Sequence, residues 1–125
     1  IRRKRQMCIR DSSYIKNKLE IPVLRYAGNR DRLVEKIAIL GGAGAEFAGV
    51  AKSMGADLYL TGDLKYHEAQ DAAMNGLVIA DGGHFYTERV IIPYLAKRLR
   101  DEFKTRGWNI GVLEDVRSKD IFRCV

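Results

Sequence analysis

Cysteine, histidine and proline are scarce in this sequence, with two of each among 125 residues. Cys8 and Cys124 lie near opposite ends and form no C-x-x-C pair. That spacing argues against a disulfide framework and against a zinc–thiolate site, and it suits a reducing compartment. No apolar run approaches the ~20 residues that cross a bilayer. We therefore expect a cytoplasmic protein without a membrane partner.

The excess positive charge is concentrated at one end. The net charge is +6, but residues 1–12 contain five basic side chains and one acidic one, whereas the rest has 17 basic and 15 acidic residues. Such an arm could contact phosphates without specificity. Its sequence has no helical or strand period, so we expect residues 1–12 to be a disordered tail or a non-native junction. The body predicts no specific nucleic-acid partner.

From residue 13 the chain alternates between apolar runs and helical patterns. This predicts an α/β domain over 13–125, with a mostly parallel sheet covered by helices. A helix should end before Pro22, and the glycines of 41–44 should break the strand before them. Pro93 should kink or interrupt the last helix. The predicted strands are 23–28, 35–40, 56–63, 77–83 and 108–116, and the later predicted helices are 45–55, 64–76 and 84–107.

Ligands of parallel α/β sheets bind at the carboxyl ends of the strands. Three such ends carry glycine here, at 41–44, 61–63 and 81–84. They predict one polar, glycine-lined pocket.

The first strand end suggests anion binding. Backbone N–H groups at Gly42 and Gly44 could hold a phosphate. The pair also begins a dinucleotide fingerprint, with Asp63 as the acid about 20 residues on, but Phe47 occupies the third glycine position. Glycine is equally common at such turns because the chain reverses sharply there.

The second strand end, TGDLKYHEA, offers several polar side chains. Thr61 and Asp63 can cap the next helix, and Asp63 and His67 are the catalytic candidates. Lys65 could project toward a bound anion. A single helical histidine is also common on a protein surface.

The third strand end, DGGHFYTE, suggests a metal site. His84 and Glu88 are four residues apart, so on a helix both side chains reach one ion. Asp81 is close enough in sequence to orient the imidazole or to accept a hydrogen bond from bound water. Mixed nitrogen and oxygen ligands suit zinc, iron or manganese. Glu88 could instead pair with Arg89 or Lys65.

Taken together, KIAILGGAGAEF, GADLYLTGDLKYHEA and GLVIADGGHFYTE resemble the YbgI/YqfO-like dinuclear-metal-centre proteins. This Nif-three-like family also carries the label of type-two GTP cyclohydrolase I homologue. The resemblance runs from about residue 15 to the last predicted strand and corresponds to the family's C-terminal half.

The resemblance implies that His84 and Glu88 ligate divalent metal, and that Asp63, Lys65 and His67 line the same pocket. It also implies a toroidal homo-hexamer and a small-molecule, possibly nucleotide, substrate. The family's further ligands, a His-His pair and an Asp, have no counterpart here. We therefore expect a fragment that binds metal weakly, lacks activity alone and self-associates.

Three functions stay open at this point. The favoured one is a metal-dependent, hydrolase-like protein to which this chain contributes a His and a Glu ligand. The second is a non-enzymatic metal-bearing assembly module, and the third is a dinucleotide-binding domain built on Gly42, Gly44 and Asp63.

Overall fold

The computed structural model describes residues 7–9 and 12–125. Short strands and helices alternate along most of this range. The strands are β1 Met7–Cys8, β2 Arg25–Ala27, β3 Leu33–Val34, β4 Ile37–Ala43, β5 Leu58–Gly62 and β6 Val78–Asp81. The helices are α1 Ser13–Leu19, α2 Ala48–Ser53, α3 Tyr66–Met74, α4 His84–Glu88 and α5 Ile91–Thr105, and a 3-10 turn, Ala45–Phe47, precedes α2.

The main sheet has four strands in the order β2-β6-β5-β4. Strands β4, β5 and β6 are parallel, and β2 is antiparallel to β6 at one edge. Every residue of β5 and of β6 is buried, as expected of parallel strands covered on both faces. The prediction of a mostly parallel sheet covered by helices is confirmed.

Alternating side chains of β5 and β6 point to opposite faces and build two cores. Leu58 and Leu60 pack on one face with residues of α1, of β3 and of the segment that follows β1. Tyr59 and Ile79 pack on the other face with Ala51 of α2 and Ala72 of α3. Both faces of these strands are therefore covered.

The N-terminal segment differs from the prediction where the structure describes it. Strand β1 pairs antiparallel with β3, with Met7 opposite Val34. Ile9 is buried in the first core. Residues 7–9 are therefore part of the folded domain. Residues 1–6, 10 and 11 lie outside the described residues, and the expectation of a disordered or non-native arm stays a prediction for them.

One predicted strand boundary is wrong, and one predicted strand does not form. Strand β4 does not stop at Gly41 but continues to Ala43, with an irregular register between Ile39 and Ala43. Residues 108–116 form no strand and run alongside α5, where the guanidinium of Arg100 bonds the Glu114 carboxylate and the Val112 carbonyl. The predicted interruption near Pro93 is confirmed, because Arg89 and Val90 separate α4 from α5.

Pro93 is the third residue of α5, where its missing N–H costs no intrahelical hydrogen bond. None of the helices within residues 7–9 and 12–125 is long and apolar enough to cross a membrane.

Candidate metal centre

The candidate site is built on α4, a helix of only five residues. Gly83 has φ +81° and turns the chain into the helix directly after β6. The amide of Gly82 donates to the Thr61 carbonyl at 2.8 Å, which ties this turn to β5. A helix this short is unstable alone. The surrounding strands must therefore hold α4 in place.

Three side chains of the site contact one another. His84 Nδ1 lies 2.6 Å from Asp63 Oδ2, and His84 Nε2 lies 3.2 Å from Glu88 Oε1. Asp63 follows β5 in a left-handed conformation with φ +54°, which a non-glycine residue rarely adopts. The chain thus accepts local strain at the residue whose carboxylate meets the imidazole.

The hydrogen bond that His84 donates to Asp63 raises the pKa of His84 above its ordinary value, and the nearby Glu88 charge acts in the same direction. All three side chains are about half exposed, at 48%, 52% and 55% for His84, Asp63 and Glu88. Solvent therefore screens these attractions.

Replacing Asp63 with asparagine should lower the pKa of His84, because the amide cannot supply the negative charge that favours imidazolium. An NMR titration of the His84 ring signals in the two proteins measures this directly. An unchanged His84 titration would contradict the assigned contact.

The same contact has a stability consequence of definite sign. A raised native pKa stabilises the fold fully below the unfolded value of about 6.5, and this stabilisation is lost as pH rises through the native pKa. The stability difference between wild type and Asp63→Asn should therefore shrink on going to alkaline pH.

Three glycines leave room for α4. A Cβ on Gly42 would lie 2.3 Å from Glu88 Oε1 and 3.2 Å from His84 Nε2. A Cβ on Gly41 would lie 2.7 Å from the Thr87 carbonyl oxygen, and one on Gly62 would lie 2.9 Å from the His84 amide nitrogen. The glycines let α4 approach the backbone of β4 and β5.

The phosphate-loop interpretation of Gly42 and Gly44 finds little support in these contacts. The Gly42 amide donates to Thr87 Oγ1 at 2.9 Å, so it is not available to an anion. The Gly44 carbonyl accepts from the Tyr59 hydroxyl at 2.6 Å. The dinucleotide interpretation depends on the same glycines and on Asp63, whose carboxylate is engaged by His84.

Sequence reasoning missed the structural roles of two buried threonines. Thr61 Oγ1 donates to the Gly42 carbonyl at 2.9 Å, so it joins β5 to β4 and does not cap a helix. Thr87 accepts from the Gly42 amide and donates back to the Gly83 carbonyl at 2.8 Å. The available signal was the position of Thr87 between His84 and Glu88, on the helix face turned to the strands.

The expectation that Asp81 orients the imidazole is wrong. Its Oδ1 accepts from the Gly83 amide at 2.9 Å, and its Oδ2 accepts from the Leu64 amide and the Arg25 guanidinium. Asp81 therefore fixes the turn that starts α4, and Asp63 orients the imidazole.

Lys65 and His67 do not join the site. His84, Glu88 and Asp63 line a broad groove, whereas Lys65 lines a separate cleft beside β2. His67 is exposed on α3, with its ring 5.6 Å from that of Tyr66. The expectation that Asp63, Lys65 and His67 share one pocket is met only by Asp63.

The geometry fits two ligands of one metal ion. Ligands about 2.0–2.2 Å from an ion, at an angle of about 90–109°, lie about 3.0–3.4 Å apart. His84 Nε2 and Glu88 Oε1 have that separation, and Asp63 holds the other ring nitrogen, as the outer partner of a metal-bound histidine does.

The described residues nevertheless supply too few candidate ligands for a complete metal site. No group of three or more His, Cys, Asp or Glu side chains in the described part of the chain is placed to hold an ion. Catalytic zinc sites commonly use about three protein ligands and structural ones about four.

Known proteins similar to this chain include two named GTP cyclohydrolase 1 type 2 homolog. The one from Staphylococcus aureus (strain MSSA476) is 36% identical over 121 residues, which is 96% of this chain and 33% of the relative. The one from Bacillus subtilis (strain 168) is 34% identical over 110 residues, covering 87% of this chain and 29% of the relative. The chain thus spans about a third of the length of these curated relatives.

Solved structures show the same fold. The S. aureus protein SA1388 superposes with a TM-score of 0.90 at 33% identity, covering 98% of this chain and 40% of that one. A Bacillus cereus protein related to NIF3 gives 0.89 at 33% identity, covering 98% and 34%. The profile of the family Duf34/NIF3 (NGG1p interacting factor 3) matches residues 6–120 and so includes β1. The chain belongs to the Duf34/NIF3 family.

Proposed function

We propose that His84 and Glu88 bind a divalent metal ion and that the chain contributes them to a hydrolase-like metal centre. The separation of 3.2 Å between His84 Nε2 and Glu88 Oε1 carries this proposal. Zinc, iron and manganese all accept such a mixed pair of ligands. When bound, a divalent ion of this kind lowers the pKa of a coordinated water and so supplies hydroxide near neutral pH.

The protein's own groups have separable roles. Asp63 fixes the ring and the tautomer of His84, so that Nε2 is presented beside Glu88. Thr87 and Gly42 fix α4 against β4, which sets the distance between the two ligands. Asp63 is therefore a positioning residue, and His67 has no role at this site.

The remaining ligands would come from outside the described residues. The chain covers 33% of the S. aureus relative, which leaves most of such a protein to supply them. We propose that the complete site forms in a longer, oligomeric protein, as a hexamer in the family's manner, and that it acts on a small molecule.

Removing one ligand should weaken metal binding strongly. We expect the 125-residue chain to bind Zn²⁺ with micromolar or weaker affinity, and His84→Ala or Glu88→Gln to reduce that affinity at least tenfold. Asp63→Asn should cost about tenfold, the lower end of the range for outer partners of ligands. Isothermal titration calorimetry in a non-chelating buffer measures all four proteins.

Matched controls are available within the chain. His67→Ala removes the other histidine, and Glu102→Gln neutralises an exposed glutamate on α5, where it pairs with Arg106. Both should bind Zn²⁺ as the wild type does. Equal affinity in His84→Ala and His67→Ala would refute the ligand assignment. Hydrolytic turnover is tested on the longer protein, where Glu88→Gln should abolish any metal-dependent activity.

A further inference from the structure

A second cleft lies between β2 and the start of α3, with Asp81 at its wall. Its volume is 440 Å³, within the range of about 300–1,000 Å³ found for small-molecule sites. Two cations, Arg25 and Lys65, and two tyrosines, Tyr26 and Tyr66, stand at its walls, and Leu64 and Ala69 supply apolar surface.

The two cations have donors to spare. Arg25 is held by Asp81 through one guanidinium nitrogen, yet 70% of its side chain is exposed, so its other N–H groups face solvent. The Lys65 ammonium makes no hydrogen bond or ion pair within residues 7–9 and 12–125. The single acid of the cleft, Asp81, is engaged by Arg25 and by two backbone amides. The cleft therefore favours an anion.

A tyrosine adds a different recognition element. Tyr66 is 77% exposed in the first turn of α3, and its hydroxyl makes no hydrogen bond in the described part of the chain. Tyr26 follows Arg25 on β2, so its side chain points to the opposite face of the sheet from that of Arg25. An exposed aromatic ring next to cations offers stacking surface for a planar heterocycle and pairing for its phosphate.

We propose that this cleft binds a mononucleotide, with the phosphate on Arg25 and Lys65 and the base against Tyr66. A cleft of 440 Å³ has room for one such molecule. The site is distinct from the metal centre and does not need the metal, although Arg25 and Asp81 line both the cleft and the groove of His84.

The proposal is tested by titrating the 125-residue chain with adenosine monophosphate in the presence of EDTA, followed by amide NMR. We expect shifts at Tyr26, Leu64, Lys65 and Gln70, and a Kd at or below about 1 mM. Lys65→Ala and Tyr66→Leu should each raise that Kd about tenfold, because each removes one of the two recognition elements. Both side chains are exposed, so the fold should be unaffected.

Lys104→Ala and Tyr94→Leu serve as matched controls, because they alter an exposed lysine and an exposed tyrosine on α5. Both should bind adenosine monophosphate with the wild-type Kd. Equal Kd values in Lys65→Ala and Lys104→Ala, or shifts confined to the groove of His84, would overturn the proposal.

Further arms of the titration separate the ligand classes. Inorganic phosphate and adenosine should each bind at least tenfold more weakly than adenosine monophosphate. A single-stranded hexanucleotide that bound more tightly per phosphate would assign the face to nucleic acid and contradict a mononucleotide site. His84→Ala should bind adenosine monophosphate unchanged, so a failure of the metal proposal leaves this one standing.

Discussion

Asp81→Ala should lower the free energy of unfolding by about 2 kcal/mol, because two part-buried backbone amides lose their charged acceptor at a cost of about 1 kcal/mol each. Asp81 is 6% exposed and accepts hydrogen bonds from the amides of Gly83 and Leu64. Alanine leaves both amides without an acceptor. Arg25 is largely solvated and loses less. Urea denaturation of the two proteins at neutral pH measures the difference.

Asp71→Ala is the matched control for this experiment. Asp71 is exposed on α3, and its carboxylate makes no hydrogen bond in the described part of the chain. Its replacement should change stability by no more than about 0.5 kcal/mol. If the two alanine variants unfolded at the same urea concentration, the three contacts of Asp81 would not be the anchor of the α4 turn.

Gly62→Ala should destabilise the protein by about 1–3 kcal/mol through overpacking. The added Cβ would meet the His84 amide nitrogen at 2.9 Å, the Gly83 carbonyl carbon at 3.0 Å and the Gly42 carbonyl oxygen at 3.1 Å. All three atoms belong to the backbone, so no side-chain rotation can relieve the contact. We expect α4 to move away from β5 and Zn²⁺ affinity to fall with it.

Gly49→Ala provides the opposite case. Nothing lies within 4 Å of a Cβ at Gly49, which is inside α2. Alanine favours a helix over glycine by up to about 1 kcal/mol, so this variant should be neutral or slightly more stable. Wild-type stability together with wild-type Zn²⁺ affinity in Gly62→Ala would show that α4 does not depend on close approach to β5.

The sheet could be predicted because its strongest sequence signal is also its physical cause. Strands β5 and β6 are buried along their whole length, so they appear in the sequence as continuous apolar runs. The segment 108–116 alternates polar and apolar residues, but Arg100 binds it beside α5 and it pairs with no strand. Trp108 and Ile110 are half exposed, so the alternation in this segment does not mark a buried face.

The proximity of His84 and Glu88 could be predicted, but the contacts that hold them could not. Spacing brings His84 and Glu88 together on any helix, whereas the choice between Asp63 and Asp81 as the imidazole partner depends on backbone conformation. Asp63 follows the parallel strand β5, and Asp81 is the last residue of the parallel strand β6. Asp63 adopts positive φ, and its carboxylate meets the ring, whereas backbone amides engage Asp81. The sequence favours Gly42 as an anion donor because it does not show that the Gly42 amide donates to the Thr87 hydroxyl.

The short helix α4 determines how far the motif can be transplanted. Five residues with a His and a Glu at their ends would not hold their shape in a foreign protein. Their spacing depends on Gly41, Gly42 and Gly62, which lie 22 to 43 residues earlier and carry no side chain at all. A grafted metal site, or a sequence search for this centre, should therefore take the two glycine-bearing strands together with the helix as its minimal unit.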